Sequence, residues 1–552
     1  MKKESDRILN RSVLSVLVAA ALYSPHVMAF TEDVTANNSP ITDELVENGT
    51  QNILHDGKTE NITVGKEGTQ KVYDKGTADS TTINNGGTQN VYDGGTADST
   101  TINNGGTQNI YERGTANNTI INEGGTLFVD TGTEVTGIKQ KEGGALIATT
   151  GAVVNGTNVL GDFSIENGHA ENFLLENGGH LSVGSGDSAT NTTIGKDGTQ
   201  TVVGTATGTT INNDGTQNIY NGGTAEDTTI NNGGWQYVMR NGTAIGTIIN
   251  NDGSQKVKDK GTADSTTINN GGTQIVDNGG TAQNTTIENG GEQVVYYKGT
   301  ATGTRIEKGG TLNVEGGGKA TDVTQADGAA LIATTDKNTV VSGKNTRGEF
   351  SINAGHADKV LLENGGQLTV VNETTADHTT IRDGGELIVN DGGKTQNTGI
   401  ESGGLQTVKA GGKAGDTIID NGGLMQNAGG NDSGTTVKSG GVYELGRVAI
   451  DDPDSPYGYY GSSSASDLKV ETGGRAAVYA GTLTGATVRG ANASLTLMTP
   501  QTKTTDGDLT LSLTGQVSVT EGGRLVSQRG ADMSGAELTL SSQGGLILKG
   551  DT

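Results

Sequence analysis

The chain has 552 residues, 92 of them glycine, with no cysteine and a formal net charge of −26. This composition excludes disulfides, thiolate metal sites and thiol nucleophiles, and the negative charge opposes binding to nucleic acid or to anionic membranes. Because only 31% of the residues are hydrophobic and 3% aromatic, the chain is either disordered or folded around a narrow, repeated core.

Residues 1–29 predict a cleaved secretory signal peptide. Basic residues such as Lys2 and Arg11 precede and flank an apolar run over 13–23, and Ala29 ends a small-residue cleavage site. The run has about half of the ~20 residues that a membrane-spanning helix needs, so cleavage is favoured over anchoring. We therefore expect an exported chain, in which residues 30–67 form an N-terminal cap and the first coils.

A short, regular repeat fills the region 68–440. Its glycines recur every 19 residues, at Gly68, Gly87 and Gly106 and again from Gly215 to Gly310. Each repeat holds two or three short strands between Gly-rich corners, and runs of Thr, Asn and Gly without a 3.6-residue period exclude helix. Strands that stack on their equivalents in the next repeat give an all-β, parallel β-helix of roughly 27 coils, a solenoid.

Strand alternation predicts which side chains enter the core. Gln89 and Val91 share one parity and are expected to point inward, as are Thr100 and Ile102, while Thr101 points outward. An isolated buried amide is costly, so the repeated inward glutamines are tolerated only if their side chains bond to each other along the axis. Replacing one of them by leucine is predicted to be nearly neutral, since Leu127 stands at the equivalent place.

The asparagines before the Gly pairs are predicted to form a second ladder. Asn103 and Asn104 precede Gly105, and the same triplet occurs one repeat earlier. Asparagine and glycine both accept left-handed backbone angles, which suits the corners of a coil.

Two longer blocks, near 125–197 and 310–388, depart from the 19-residue spacing. The sequence Ala145–Thr150 recurs as Ala330–Thr335, and both blocks are more apolar than the repeats. We interpret them as irregular coils that bend or brace the solenoid. The alternative is drift of degenerate repeats.

The 19-residue repeat becomes irregular after residue 440. Residues 441–552 are predicted to form C-terminal coils with a surface loop near 451–465, followed by more hydrophobic strands that close the end of the solenoid.

The repeat Gly87-Thr-Gln-Asn-Val-Tyr-Asp-Gly-Gly-Thr-Ala-Asp-Ser-Thr-Thr-Ile-Asn-Asn-Gly105 resembles the passenger repeat of AIDA-type, self-associating autotransporter adhesins of enteric bacteria. The resemblance covers most of the chain from about Glu47 onward. It implies a right-handed parallel β-helix displayed on the outer surface, with roles in autoaggregation, biofilm formation and adhesion to surfaces or host cells, and sometimes Ser/Thr glycosylation. It also implies a C-terminal translocator barrel, which we expect outside this chain because amphipathic strands with aromatic girdles do not precede Thr552.

Homotypic adhesion is the function that this pattern favours. Each polar contact contributes only ~1 kcal/mol, but many contacts in register against an antiparallel copy on a neighbouring cell sum to adhesion. The candidate self-association residues lie on the outward parity: Asp79, Thr82, Asp98, Thr101, Asn103, Asp264 and Thr267.

Two other functions stay open. Binding of a host receptor or glycan without self-association would concentrate on Trp235 and Tyr237, or on Tyr457, Tyr459 and Tyr460. A β-helical polysaccharide-degrading enzyme would need paired carboxylates that converge in one unusual coil, whereas aspartates here recur at repeated positions. No catalytic residue, cofactor or metal site is predicted, so the chain is not expected to be an enzyme.

Overall fold

The computed structural model describes residues 31–449, 457–500 and 511–550, and contains no helix among them. The chain divides into two compact units at residue 217, and strands pair in parallel with their equivalents in successive coils within each unit. The predicted all-β, parallel β-helical fold is therefore confirmed. The predicted signal peptide and residues 451–456 of the predicted loop lie outside the described residues.

One coil shows how the repeat folds. Thr88–Val91 forms what we call the long face, Thr96–Asp98 the middle face and Thr101–Ile102 the short face. Each strand pairs in parallel with its equivalent in the coil before it and with its equivalent in the coil after it. The two-residue period of the side chains therefore repeats in the same register from coil to coil.

The first unit repeats this plan, and one strand, Thr216–Ile219, contains the boundary between the units. Its long-face strands are Thr31–Val34, Thr50–Ile53, Thr69–Val72, Thr88–Val91, Thr107–Ile110, Thr126–Val129, Ala145–Thr149, His180–Val183 and Thr199–Val202. Its middle-face strands are Ile41–Thr42, Lys58–Glu60, Thr77–Asp79, Thr96–Asp98, Thr115–Asn117, His169–Glu171, Ser188–Thr190 and Thr205–Thr207. Its short-face strands are Leu45–Val46, Thr63–Val64, Thr82–Ile83, Thr101–Ile102, Ile120–Ile121, Leu174–Leu175, Thr193–Ile194 and Thr210–Ile211.

The second unit has the same three faces. Its long-face strands are Trp235–Val238, Ser254–Val257, Thr273–Val276, Glu292–Val295, Thr311–Val314, Ala330–Thr334, Gln367–Val370, Glu386–Val389, Leu405–Lys409, Leu424–Ala428, Val442–Leu445, Arg475–Val478, Ser494–Leu497, Arg524–Ser527 and Gly545–Leu548. Its middle-face strands are Thr224–Glu226, Thr243–Ile245, Thr262–Asp264, Thr281–Gln283, Thr300–Thr302, His356–Asp358, Thr375–Asp377, Lys394–Gln396, Lys413–Gly415 and Asn431–Ser433. Its short-face strands are Thr229–Ile230, Ile248–Ile249, Thr267–Ile268, Thr286–Ile287, Arg305–Ile306, Leu361–Leu362, Thr380–Ile381, Gly399–Ile400, Ile418–Ile419 and Thr436–Val437.

In some coils the middle and short faces merge into one longer strand, and each duplicated block adds a β-hairpin. The merged strands are Glu134–Gln140, Lys319–Gln325, Ser464–Val470, Gly481–Arg489, Leu511–Thr520 and Asp532–Leu540. The hairpins pair Val153–Asn158 with Gly161–Glu166 and Val340–Asn345 with Gly348–Asn353, both antiparallel. A smaller antiparallel pair joins Arg447–Ala449 to Tyr457–Tyr459.

The inward side chains form columns that run from coil to coil. The predicted apolar columns are confirmed, since Val91 on the long face and Ile102 on the short face are 0% exposed, as are their equivalents in adjacent coils. The middle face adds a column that was not predicted from the sequence, the alanines represented by Ala97. Burying a Val or Ile side chain contributes about 1.5–3 kcal/mol, and the coil gathers only two such residues, so its core is thin.

The glutamine ladder is also confirmed. Gln89 Nε2 donates to Gln70 Oε1 at 2.7 Å, and Gln108 Nε2 donates to Gln89 Oε1 at 2.7 Å. The inward threonine completes it, because Thr100 Oγ1 donates to Gln89 Oε1 at 3.3 Å and accepts from Gln108 Nε2 at 3.2 Å. Both N–H groups of Gln89 and of Gln108 are thereby bonded, so these two amides are buried without an unpaired donor.

Where leucine replaces a ladder glutamine, the inward threonine of the same coil can lose its hydrogen-bond partner. Leu368 and Leu387 occupy ladder positions, and the hydroxyl oxygens of Thr379 and Thr398 in the same coils are buried with no hydrogen-bond partner. At Leu127 the problem does not arise, because Ile138 replaces the threonine there. The glutamine and the threonine of a coil therefore depend on each other, and leucine fits best where the threonine is also replaced by an apolar residue.

The asparagine ladder forms at the corner before the Gly pair. Asn103 Nδ2 donates to Asn84 Oδ1 at 2.8 Å, and Asn122 Nδ2 donates to Asn103 Oδ1 at 2.8 Å. The left-handed backbone lies on Gly105, with φ of 73°, and not on Asn103 or its neighbour Asn104. Of the two residue types expected to accept left-handed angles at the corners, glycine does so here, and it takes this angle without strain.

Gly106 is required for a different reason, the close approach of two coils. A Cβ on Gly106 would lie 2.6 Å from the carbonyl oxygen of Ile83. We expect Gly106→Ala to lower the free energy of unfolding by about 2 kcal/mol, since the backbone of one coil must shift. Gly195→Ala is the matched control, because the nearest heavy atom to its Cβ would be 3.6 Å away. Urea unfolding that gives equal losses for both variants would contradict this account.

Candidate functional site

The predicted self-association residues flank one corner of the coil. Asp98 ends the middle-face strand and Thr101 begins the short-face strand, and Ser99, with φ of 58°, turns the chain between them. Asp79 and Thr82 repeat the arrangement in the preceding coil. All four side chains are partly exposed on the outward parity, so two polar columns lie beside one corner at the ~4.8 Å spacing of paired strands.

Hydrogen bonds along the columns fix these side chains. Asp98 Oδ1 accepts from Asn118 Nδ2 at 3.0 Å and from Ser99 Oγ at 3.4 Å, and Asp79 Oδ1 accepts from Ser80 Oγ at 3.0 Å. Asn103 belongs to the asparagine ladder at the next corner. A ladder asparagine uses one N–H and one lone pair for its neighbours, which leaves a second N–H and a second lone pair for a partner.

The second unit carries the same corner at Asp264 and Thr267, but with apolar neighbours. Asp264 Oδ1 accepts from Asn284 Nδ2 at 2.9 Å. Ile245 and Ile248 occupy the equivalent places one coil earlier and are 39% and 41% exposed. These isoleucines were not predicted because the outward parity was taken to be uniformly polar, although the Thr-Ala-Ile run at 243–245 shows the change.

The two aromatic candidates stack on their neighbours. The rings of Trp235 and Tyr237 lie 5.4 Å apart at 10° on the long face of the second unit, so each covers one ring face of the other. A similar stack in the first unit joins Tyr73, Tyr92 and Tyr111 at centroid distances of 5.1 Å, which sequence reasoning did not note. Stacking therefore reduces the ring surface that these aromatic side chains offer to a ligand.

The tyrosines of the predicted C-terminal loop fasten it to the solenoid. The guanidinium of Arg447 lies 4.3 Å from the ring centre of Tyr457 and 4.0 Å from that of Tyr479. Tyr459 contacts Tyr479 at 6.3 Å, and the backbone N–H of Tyr460 donates to Gly446 O at 3.0 Å. Tyr457 is nevertheless 39% exposed.

In the part of the chain that the structure describes, the histidines and aspartates do not converge on a catalytic constellation. His169 Nδ1 lies 2.8 Å from Ser188 Oγ, and His356 Nδ1 lies 2.7 Å from Thr375 Oγ1, the same contact in each block. Asp227 stands at a left-handed corner, with φ of 52°, one residue after the place that Asp98 occupies. Within residues 31–449, 457–500 and 511–550, no three His, Cys, Asp or Glu side chains are grouped to hold a metal ion. In the same ranges no helix has the length and apolar character needed to cross a bilayer.

A family model described as "Adhesin of bacterial autotransporter system, probable stalk" matches residues 88–144, 155–215, 212–272, 248–291, 274–329, 342–404 and 391–441. The chain belongs to this family, AIDA. The resemblance seen in the repeat is therefore confirmed, and membership in the AIDA family makes the chain an adhesin and not an enzyme.

Several AIDA-type relatives share segments with the chain. The probable autotransporter YpjA of Escherichia coli K12 is 32% identical over 220 residues, 40% of this chain and 11% of that protein. Autotransporter CRAC of Citrobacter rodentium is 65% identical over 40 residues, 7% of this chain and 2% of that protein. The autotransporter adhesin/invasin TibA of enterotoxigenic Escherichia coli is 56% identical over 45 residues, 8% of this chain and 5% of that protein. A crystal structure of a hyper-glycosylated TibA fragment is 34% identical, covers 55% of this chain and 96% of that chain, and has a TM-score of 0.31. The chain thus spans only a small part of the curated relatives it matches.

Proposed function

We propose that the chain is the surface-displayed passenger of an autotransporter adhesin, which joins cells by binding a second copy of itself in antiparallel orientation. Residues 1–29 direct export, and the passenger is displayed at the outer membrane on the cell surface. The observation that carries the proposal is the constant register of the outward columns, in which Asp98 and Thr101 recur at the spacing of paired strands.

The mechanism is avidity between polar surfaces. Asp98 keeps one carboxylate oxygen, and the ladder asparagines keep one N–H and one lone pair, beyond the bonds within their own columns. Each contact with a partner contributes ~1 kcal/mol, but columns of equal spacing engage many contacts together. Association is then reversible and needs little apolar area. Ile245 and Ile248 add an apolar contact to the same surface in the second unit.

The double variant Thr82→Glu/Thr101→Glu is expected to leave the melting temperature within about 1 °C of the wild type, since both side chains point outward. It should slow the settling of cells that display the passenger, because two carboxylates are added beside the Asp79–Asp98 column and repel the acidic corner of a partner. The loss should shrink at high salt, where these charges are screened.

Thr82→Gln/Thr101→Gln is the matched control, because it adds length and polarity without charge, and it should aggregate nearly as wild type. Deletion of the loop residues 457–464 should also spare aggregation. Cells that stay dispersed with the wild-type passenger at every salt concentration, or that settle equally with the glutamate pair, would contradict homotypic binding through this corner.

A further inference from the structure

The two irregular blocks carry the same carboxylate at the same place. Glu176 follows the short-face strand Leu174–Leu175, and Glu363 follows its counterpart Leu361–Leu362. In the first unit Glu176 Oε1 accepts the backbone N–H of Gly143 at 2.7 Å, and in the second Glu363 Oε1 accepts that of Gly328 at 2.9 Å. Each carboxylate is therefore held in one orientation by one oxygen, and its Oε2 atom faces the next coil.

In the second unit an arginine of the same chain occupies the space beyond that oxygen. Arg382 Nε donates to Glu363 Oε2 at 2.8 Å, and Arg382 Nη2 reaches Asp327 Oδ1 at 2.5 Å. The Glu363 side chain is only 1% exposed under this guanidinium. The block thus shows which charged group fits between the two carboxylates.

In the first unit the arginine is missing and the carboxylates remain. Gly195 follows Ile194, which pairs with Leu175, as Arg382 follows Ile381, which pairs with Leu362. Glu142 stands two residues after Gln140, as Asp327 stands two residues after Gln325. A Cβ on Gly195 would lie 3.6 Å from Glu176 Cβ and 3.9 Å from Glu176 Oε2, so the side chain that fills this space in the second unit has no counterpart. Lys196 lines the same groove, but no ion pair within 4.0 Å joins it to Glu142 or Glu176 in the described structure.

We propose that the groove between Glu142, Glu176 and Gly195 is a guanidinium-binding slot that takes an arginine side chain of another polypeptide. Arg382 in the duplicated block serves as the stand-in for that ligand. A planar guanidinium bonds two carboxylates at once through separate N–H groups, whereas an ammonium group is a compact point charge. The slot lies at the corner of the asparagine ladder and not at the Asp98–Thr101 corner, and its two carboxylates take part in none of the proposed self-association contacts.

Ligand-observed saturation-transfer NMR on the whole exported chain tests the slot, with N-acetyl-arginine amide as the probe. The wild type is expected to give a signal that Glu176→Gln reduces at least threefold. Gly195→Arg should reduce it equally, because it supplies the guanidinium from within and closes the slot. Arg382→Gly should raise it about twofold by opening the equivalent slot in the second unit. Glu134→Gln, an exposed carboxylate outside the groove, is the control for loss of charge.

Gly195→Arg also separates a lost ligand from a lost fold, since it should raise the melting temperature of the chain while it removes the probe signal. A signal that is unchanged in both Glu176→Gln and Gly195→Arg would overturn the proposal. N-acetyl-lysine amide or calcium chloride binding with the same dependence on Glu176, and at least as strongly as the arginine probe, would overturn the assignment to a guanidinium.

Discussion

Replacing Gln89 by glutamate is expected to lower the free energy of unfolding by about 4 kcal/mol at pH 7. The amide donates to Gln70 Oε1 and to Thr81 Oγ1, and a carboxylate supplies no donor for either oxygen. Gln89 is 0% exposed, so the charge would be buried without a counter-ion. Urea unfolding followed by far-UV circular dichroism measures the loss, which should shrink near pH 4, where protonation neutralises the new side chain.

Gln89→Leu is expected to cost about 2–3 kcal/mol, and not to be nearly neutral as the sequence suggested. Thr100 Oγ1 would lose its acceptor and Gln108 Nε2 one of its two acceptors, and both groups stay buried. The matched control is Gln89→Leu/Thr100→Ile, which reproduces the native pair Leu127 and Ile138. It should not recover the loss, because it removes the unpaired hydroxyl but also the second acceptor of Gln108 Nε2, whereas Leu127 is followed by Leu146 and no ladder glutamine.

The order of the three variants decides whether the ladder is correct. Glutamate should be least stable, and both leucine variants should lie between it and wild type. A Gln89→Glu protein that unfolds like wild type, with Thr101→Glu destabilised instead, would show that the inward and outward residues had been exchanged.

The repeat itself was predictable because each of its features has a local cause. Gly-rich corners at constant spacing keep the strands of a regular coil short, and alternation then decides that Gln89 and Val91 face inward. The glutamine ladder followed from the cost of burying an isolated amide. All of these features depend only on neighbours along the chain and on the translation between coils.

The threonine that bonds to the glutamine ladder could not be predicted in the same way. Thr100 and Thr101 are identical in the sequence, and only the meeting of the long and short faces across the thin core gives the inward one its role. The slot at Glu176 was hidden for a similar reason: its second wall, Glu142, is distant in the sequence and its occupant is visible only in the other block. The self-association residues remain a prediction, since their outward placement does not identify what they bind.

Asp432, Thr435 and Tyr443 form an unpredicted polar cluster in the core of the second unit, close to where the 19-residue repeat becomes irregular. Asp432 takes a place in the alanine column, between Ala414 and Ala465, and is 4% exposed. Thr435 Oγ1 donates to its Oδ1 at 2.8 Å, whereas its Oδ2 and the fully buried hydroxyl of Tyr443 have no hydrogen-bond partner among the described residues. Desolvation by burial raises the pKa of Asp432 to about 7, against the lowering effect of the hydrogen bond from Thr435.

Asp432 therefore contributes more to the stability of the folded protein in acid than at neutral pH. The folded state favours the neutral carboxyl, so its contribution is full below the unfolded pKa of about 4 and is lost as the pH rises to about 7. A shift of about three pH units corresponds to about 4 kcal/mol. We expect wild-type urea midpoints to fall between pH 4 and pH 7 relative to those of Asp432→Asn, which keeps the volume of the side chain but does not titrate.

Asp252→Asn, at an exposed corner with φ of 54° that asparagine accepts, is the control for removing one carboxylate. Its midpoints should follow those of the wild type at every pH, because other carboxylates titrate equally in both proteins. The difference between wild type and Asp432→Asn should stay constant above about pH 8, where the buried carboxyl is ionised. A difference that does not change from pH 4 to pH 7 would show that Asp432 ionises in the folded protein as it does in the unfolded chain, and would contradict the raised pKa.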